Sequence, residues 1–187
     1  MAKDTKQRIA RAALELFVKD GFDAATTRQI AARCGLSEGA IYRHYTSKDD
    51  IARDLFLKIH TRLTQLVHDG STFSSEIDEI VKEVTRSYCA VADEDWTLYS
   101  FHLLQLHRFL GYWDDEDGDP VSAVAAIIKT AINNGQLPPG NPELLAGMAM
   151  GVITQVAQNK AYGRFGSSLT DLVNPFACAI LAVLRAR

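Results

Sequence analysis

Residues 21–50 read GFDAATTRQIAARCGLSEGAIYRHYTSKDD, and the fold turns on this stretch. Thr26 stands three residues before Gln29, the spacing of a capping box that opens a helix at residue 27. That helix runs to Cys34. Gly35 supplies the left-handed backbone a tight turn requires, and Ser37 caps a second short helix over 38–44. Ser47 caps a third from Lys48, with Asp50 at the reciprocal position. Two short helices joined by Cys34-Gly35-Leu36-Ser37 predict a helix-turn-helix, a geometry whose second helix enters a DNA major groove. Ile30, Ala31, Leu36 and Ile41 are the inward apolar set that fixes the angle between the two helices.

The outward residues of the second helix are Glu38, Gly39, Ala40, Tyr42, Arg43 and His44. Gly39 and Ala40 are small enough for the helix start to approach a duplex closely. Ala40 can meet a thymine methyl, and Arg43 can pair bidentately with a guanine edge. Tyr42, His44 and Lys48 are donors suited to phosphate oxygens. Thr27 and Arg28 stand at the start of the preceding helix, where free N–H groups and the helix dipole favour an anion.

In one register, Gly21-Phe22, Thr26-Thr27-Arg28, Ile30-Ala31, Gly35-Leu36-Ser37, Gly39, Tyr42, His44, Tyr45 and Lys48 resemble the DNA-binding domain of the TetR family of transcriptional repressors. The likeness covers roughly residues 4–55. It implies DNA contacts from Thr27, Arg28, Ser37, Gly39, Tyr42, His44 and Lys48. Glu38, Ala40 and Arg43 fall at the family's variable positions and so bear on which sequence is read. Cys34 stands where the family usually has Ala, and Tyr45 where it usually has Phe.

Composition sets the frame around this motif. The chain has 187 residues, 47% hydrophobic and 23% charged, the balance of an ordinary globular protein. No apolar run approaches the ~20 residues of a membrane helix, and no signal-peptide core follows Met1, so a cytoplasmic protein is expected. Cys34, Cys89 and Cys178 are an odd, widely spaced set and read as reduced packing thiols. The net charge of −3 hides an asymmetry. Residues 1–50 hold nine Lys/Arg against seven Asp/Glu, and the remainder eleven against sixteen, which permits a nucleic-acid face at the N-terminal end.

The rest of the chain reads as helix, about nine helices in total, in an all-α protein. A long helix spans about 48–68 and stops before Asp69-Gly70. Ser74 or Ser75 opens one to about Ala92, and Asp93 caps the next, which carries Trp96 to Trp113. The acidic run Asp114–Gly118 is a loop. Asp119-Pro120 and Asn141-Pro142 are each an N-cap followed by a first-turn proline, opening helices that end near Asn133 and Arg164. Ser168 or Thr170 opens the last helix, with Pro175 in its first turn or kinking it. The expected division is a DNA-binding domain over 1–47 and an effector and dimerisation domain over 48–187.

No chemistry-bearing motif stands against this reading. GxGxxG is absent, and the one GxSxG run, Gly35-Leu36-Ser37-Glu38-Gly39, lies within the turn and helix start of the motif already read, so an enzyme has no separate motif to rest on. The acidic run lacks calcium-loop ligands at its first and twelfth positions, Trp113 and Val124, and His102 and His107 do not share a helix face. Neither a metal nor a cofactor is expected. The dense aromatics of 88–113 suit either an ordinary core or an apolar cavity with a few orienting polar groups. The TetR resemblance implies the cavity, with Trp96, Tyr99, His102, Leu103, Leu106, Met148 and Gln155 as candidate residues for a small-molecule effector. Small residues along 146–151 and at Ala177, Ala179 and Ala182 fit close packing within one chain or between two. By the resemblance they join a homodimer through the last two helices. Such a regulator binds double-stranded DNA at a pseudo-palindrome and is released by its effector. Two alternatives stay open: an architectural DNA-binding protein without an effector, and a helical small-molecule-binding protein.

Overall fold

A computed structural model of the chain describes residues 2–109 and 118–186. Among these residues there are nine α-helices, two 3-10 turns and no strand. The helices are α1 (Ala2–Asp20), α2 (Thr27–Cys34), α3 (Glu38–Ile41), α4 (Lys48–Ser71), α5 (Ile77–Glu94), α6 (Trp96–Gln105), α7 (Pro120–Asn133), α8 (Pro142–Ala161) and α9 (Val173–Arg185). The all-α expectation holds. So do four of the local start and stop signals. Thr26 and Gln29 form both bonds of the capping box. Gly35 is left-handed at φ 65°. Asp119 and Asn141 cap helices that carry proline in the first turn. Pro175 lies in the first turn of α9 and does not break it.

Other boundaries differ, each for a visible reason. The helix expected over 38–44 is regular only to Ile41, and the N–H groups of His44 and Tyr45 both turn back onto the Ile41 carbonyl. Ser37 has the extended backbone of an N-cap, but its side chain makes no capping bond. Ser47 does cap α4 through the Asp50 N–H, while Asp50 accepts from Thr46. Helix α4 runs through Asp69-Gly70 to Ser71. Gly70 is a packing residue there, because a Cβ would fall 2.5 Å from Val84 Cγ2 of α5. Helix α6 stops at Gln105, and a 3-10 turn follows over Leu106–Arg108. The end of the expected 96–113 helix and residues 114–117 of the acidic loop lie outside the described residues.

The chain forms two compact units. One comprises the described residues through Ile59 together with Thr97–Phe109, and the other comprises His60–Trp96 with the described residues from Gly118 onward. These units divide the chain differently from a boundary after residue 47. In the first, Ile9, Leu14, Ile30, Ile41, Ile51 and Phe56 are each at most 1% exposed and form an apolar seam. An aromatic group continues it: Phe17 packs on Phe22 and Phe101, and Phe56 stacks on His102 and Phe109. In the second, α8 packs against α7 and α9, and α5 against α9. Gln136, between α7 and α8, accepts from the Ile77 N–H and donates to the Ser75 carbonyl, which fixes the start of α5.

Asp93 does not cap α6. It accepts from the Ser168 hydroxyl and from the N–H groups of Leu169 (3.1 Å) and Thr170 (2.8 Å), and Lys160 lies 3.5 Å away. Burial alone would raise its carboxyl pKa, but the hydrogen bonds from Ser168, Thr170 and Leu169 outweigh it and hold the group below its ordinary value. A depressed folded-state pKa contributes stability that is present above the unfolded value and is lost as pH falls through the folded one. Asp93→Ala is expected to cost about 2 kcal/mol of unfolding free energy at neutral pH. In urea melts from pH 7 downward, the gap between wild type and variant should close only below the ordinary carboxylate range.

Candidate nucleic-acid interface

The helix-turn-helix is held from behind by α1. Arg8 donates to the Cys34 carbonyl (2.9 Å), the Cys34 thiol donates to the Arg8 carbonyl, and Glu15 accepts two bonds from Arg33. The Tyr45 hydroxyl donates to Asp54 at 2.8 Å, and Lys6 pairs with the same carboxylate. These bonds fasten both ends of the motif to α1 and α4. Ile30, Ala31 and Ile41 face inward, as the spacing requires, and Leu36 is half-buried.

With that face buried, the other is open. Arg28, Ser37, Glu38, Gly39, Tyr42 and Arg43 are exposed, and Thr27, Ala40, His44 and Lys48 are partly so. The structure links the start of α2 to α3, since the Thr27 hydroxyl donates to Glu38 and lies 3.5 Å from the Tyr42 hydroxyl. Tyr42, Arg43 and His44 sit in the turn that follows α3.

Lys48 departs from the expected arrangement. Its ammonium donates to the carbonyls of Phe22 (2.7 Å), Ala25 (2.9 Å) and Asp23 (3.3 Å). An ammonium has three donors, and here all three are engaged within the protein.

The seven residues expected around an effector fall in both units. Tyr99, His102, Leu103 and Leu106 belong to the first unit, and Trp96, Met148 and Gln155 to the second. His102 is 6% exposed and stacked on Phe56, so it fills the first unit's core. Tyr99 is fully buried, while Leu106, Met148 and Gln155 are exposed. Lys160 lies over the Trp96 ring. None of the seven lines either of two cavities in the second unit. One, of about 50 Å³, is apolar and set among α5, α7, α8 and α9, with Ile80, Val84, Tyr88, Ile128, Met150 and Ile153 in its wall. The other, a cleft of about 210 Å³, shares Ile77, Ile80 and Ile127 with it and adds His68, Ser71, Thr130 and Asn134. The sequence carried a signal for this wall. Ile77, Ile80, Val81, Val84, Thr85 and Tyr88 recur at the spacing of one helix face.

An all-α chain with two short helices set across a left-handed glycine, buried on one side and open on the other, defines a helix-turn-helix protein. Residues 9–55 match the family model described as bacterial regulatory proteins, tetR family. Over 50 residues the chain is 48% identical to the uncharacterized HTH-type transcriptional regulator TtgW of Pseudomonas putida, covering 27% of this chain and 37% of that protein. The stretches shared with three such curated regulators span 16–37% of their own lengths. The fold is similar to that of the fatty acid degradation regulator FadR from Bacillus halodurans, with a TM-score of 0.78 and 19% identity over 98% of this chain and 97% of that one. It is also similar to FadR from Bacillus subtilis in complex with stearoyl-CoA, with a TM-score of 0.73 and 18% identity over 95% and 97% of the two chains. The likeness to the tetR family of bacterial regulatory proteins is carried by residues 9–55, the helix-turn-helix segment.

Gly39 separates what the fold needs from what a partner needs. Its backbone is not left-handed, and a Cβ there would meet nothing within 4 Å. Gly39→Ala should therefore leave thermal stability unchanged or raise it by up to about 1 kcal/mol. If the open face of α3 seats on DNA, the same change weakens duplex binding, as a calorimetric melt and a fluorescence-anisotropy titration on one preparation would show.

Proposed function

We propose that the protein is a transcriptional repressor that binds a pseudo-palindromic operator as a homodimer and is released by a small-molecule effector. The observation that carries this reading is the open face of α2 and α3, held by the α1 contacts, in a segment matching the tetR family. Arg43 and Glu38 read base edges, Gly39 and Ala40 allow close approach, and Thr27, Arg28, Ser37, Tyr42 and His44 serve the phosphates.

The homodimer forms through α8 and α9. Leu144 (62% exposed) and Met148 (47%) stand out on α8 beside exposed Gly147, and Ala179 and Ala182 are exposed on α9. A twofold axis through such a face makes it self-complementary. It sets the two recognition helices one turn of DNA, ~34–36 Å, or a multiple apart. An effector releases the operator by favouring a different spacing, and its leverage is limited to its difference in affinity for the two states.

The effector is amphipathic. Its apolar part enters the cavity among α5, α7, α8 and α9, and its polar end meets His68, Ser71, Thr130 and Asn134 in the cleft. At about 50 Å³ the cavity has room for only a few water molecules, so an acyl chain has to displace side chains there. The similar fold solved with stearoyl-CoA makes acyl chains the first class to test.

Three measurements test these assignments. Selection from a random duplex pool is expected to return an inverted repeat, with light scattering giving a dimer. Arg43→Ala should then relax preference at one base position by ~1–3 kcal/mol. Featureless selection by a folded protein contradicts the repressor. Saturated fatty acids and their CoA thioesters should raise the melting temperature, by the equivalent of about 2.7 kcal/mol at a hundred times Kd. Ile80→Trp, which obstructs cavity and cleft together, should abolish the rise. No shift across the series counts against an acyl effector.

A further inference from the structure

Two of the groups suited to phosphate are already engaged with an anion of the protein's own. The Thr27 hydroxyl donates to the Glu38 carboxylate, and the Tyr42 hydroxyl lies 3.5 Å from that of Thr27. A hydroxyl has one proton to donate. With the Thr27 proton spent on Glu38, a bond between the two hydroxyls runs from Tyr42 to Thr27. Both protons then point along one chain, Tyr42 to Thr27 to Glu38, that ends on the carboxylate. The carboxylate also meets a local demand. Helix α2 has no acidic residue in its own first turn, where the helix dipole favours negative charge, and Glu38 supplies one from the start of α3. Glu38 and Tyr42 are exposed and Thr27 is partly so.

We infer that Glu38 is a gate on DNA binding: in the free protein its carboxylate holds the place of a backbone phosphate at Thr27 and Tyr42, and a duplex seats well only where it draws the carboxylate away. This rests on the regulator reading above, and adds to the base contact proposed there a cost that every sequence has to meet. A phosphate oxygen accepts and does not donate, so it needs the protons that the carboxylate holds. The bond to Glu38 is charge-assisted and so stronger than one between neutral groups. Seating a phosphate is therefore an exchange of one anion for another at the same donors, with little gain in itself. The displaced carboxylate requires a new donor, and amino groups are the donors that base edges present in the major groove. A sequence without one at that place leaves the cost uncompensated.

The test uses the full chain and two duplexes, the one it selects from a random pool and a shuffled version of it. Titrations at about 50 mM salt make binding without sequence preference measurable. Glu38→Ala removes the gate, and Thr27→Val removes the hydroxyl that it holds. Glu38→Ala is expected to raise affinity for the shuffled duplex about tenfold without raising it for the selected one. In a Thr27→Val background the same change should bring almost no gain, because no hydroxyl is left to release. A gain of full size in that background identifies plain charge repulsion and overturns the gate. Unchanged or lower affinity for the shuffled duplex overturns it too, as does an equal rise on both duplexes. Both side chains lie on the open face, and far-UV circular dichroism and melting temperatures should match the wild type. A wild-type chain that binds neither duplex defeats the regulator reading, and the inference with it, before any variant is compared.

Discussion

The apolar seam of the first unit is the constraint on which the rest depends. Helices α2 and α3 have eight and four residues. Isolated helices shorter than ~12–15 residues are marginal in water, so neither persists on its own propensity. They exist because Ile30 and Ile41 are buried, in the same unit as the buried Ile9, Leu14, Ile51 and Phe56, with α2 packed on α1 and α3 on α2. Gly35 lets the chain reverse between them without strain. Burying one side of such short helices leaves the other side to solvent, and that leftover face is the candidate interface. The candidate surface is thus a consequence of how the core is made.

The parts of this structure legible in the sequence are those set by local chemistry. The Thr26–Gln29 box, Gly35, Asp119-Pro120 and Asn141-Pro142 each act within a few residues, and each stands where the residues put it. The parts that were not legible depend on meetings across long separations. Asp93 has the composition of a helix cap but serves residues 168–170. Gly70 looks like a stop and is a contact with Val84. Aromatics between 96 and 109 suit a ligand cavity or a core equally by type. Only the partners Phe17 and Phe56, supplied by α1 and α4, assign Phe101, His102 and Phe109 to the core.

Lys48 shows the same limit at the interface. A lysine beside a recognition motif is a phosphate donor by charge and place. Whether its donors are available is a matter of geometry, and three carbonyls at hydrogen-bond distance use them. Burial of the carbonyls of a short turn creates a demand for donors, and here a long cationic side chain meets it. The charge remains near the surface, where it contributes to the local potential whether or not it touches DNA.

Thr27 and Glu38 carry this argument to specificity. The Thr27 hydroxyl, one of the groups suited to phosphate, already donates to the Glu38 carboxylate. In the proposed complex a phosphate reaching Thr27 meets a like charge. At ~4 Å and an effective dielectric near 20, two unit charges repel by about 4 kcal/mol. That exceeds the net worth of one hydrogen bond to a charged group, ~1.5–3 kcal/mol, so phosphate and carboxylate do not share the hydroxyl. Glu38 must swing to the base edges, where its useful partners are amino groups such as cytosine N4. A duplex offering such a donor accommodates the carboxylate, and one presenting only acceptors there leaves it repelled and desolvated. In the proposed complex Glu38 would discriminate chiefly by what it rejects, which suits a chain whose first fifty residues carry only two more positive than negative charges.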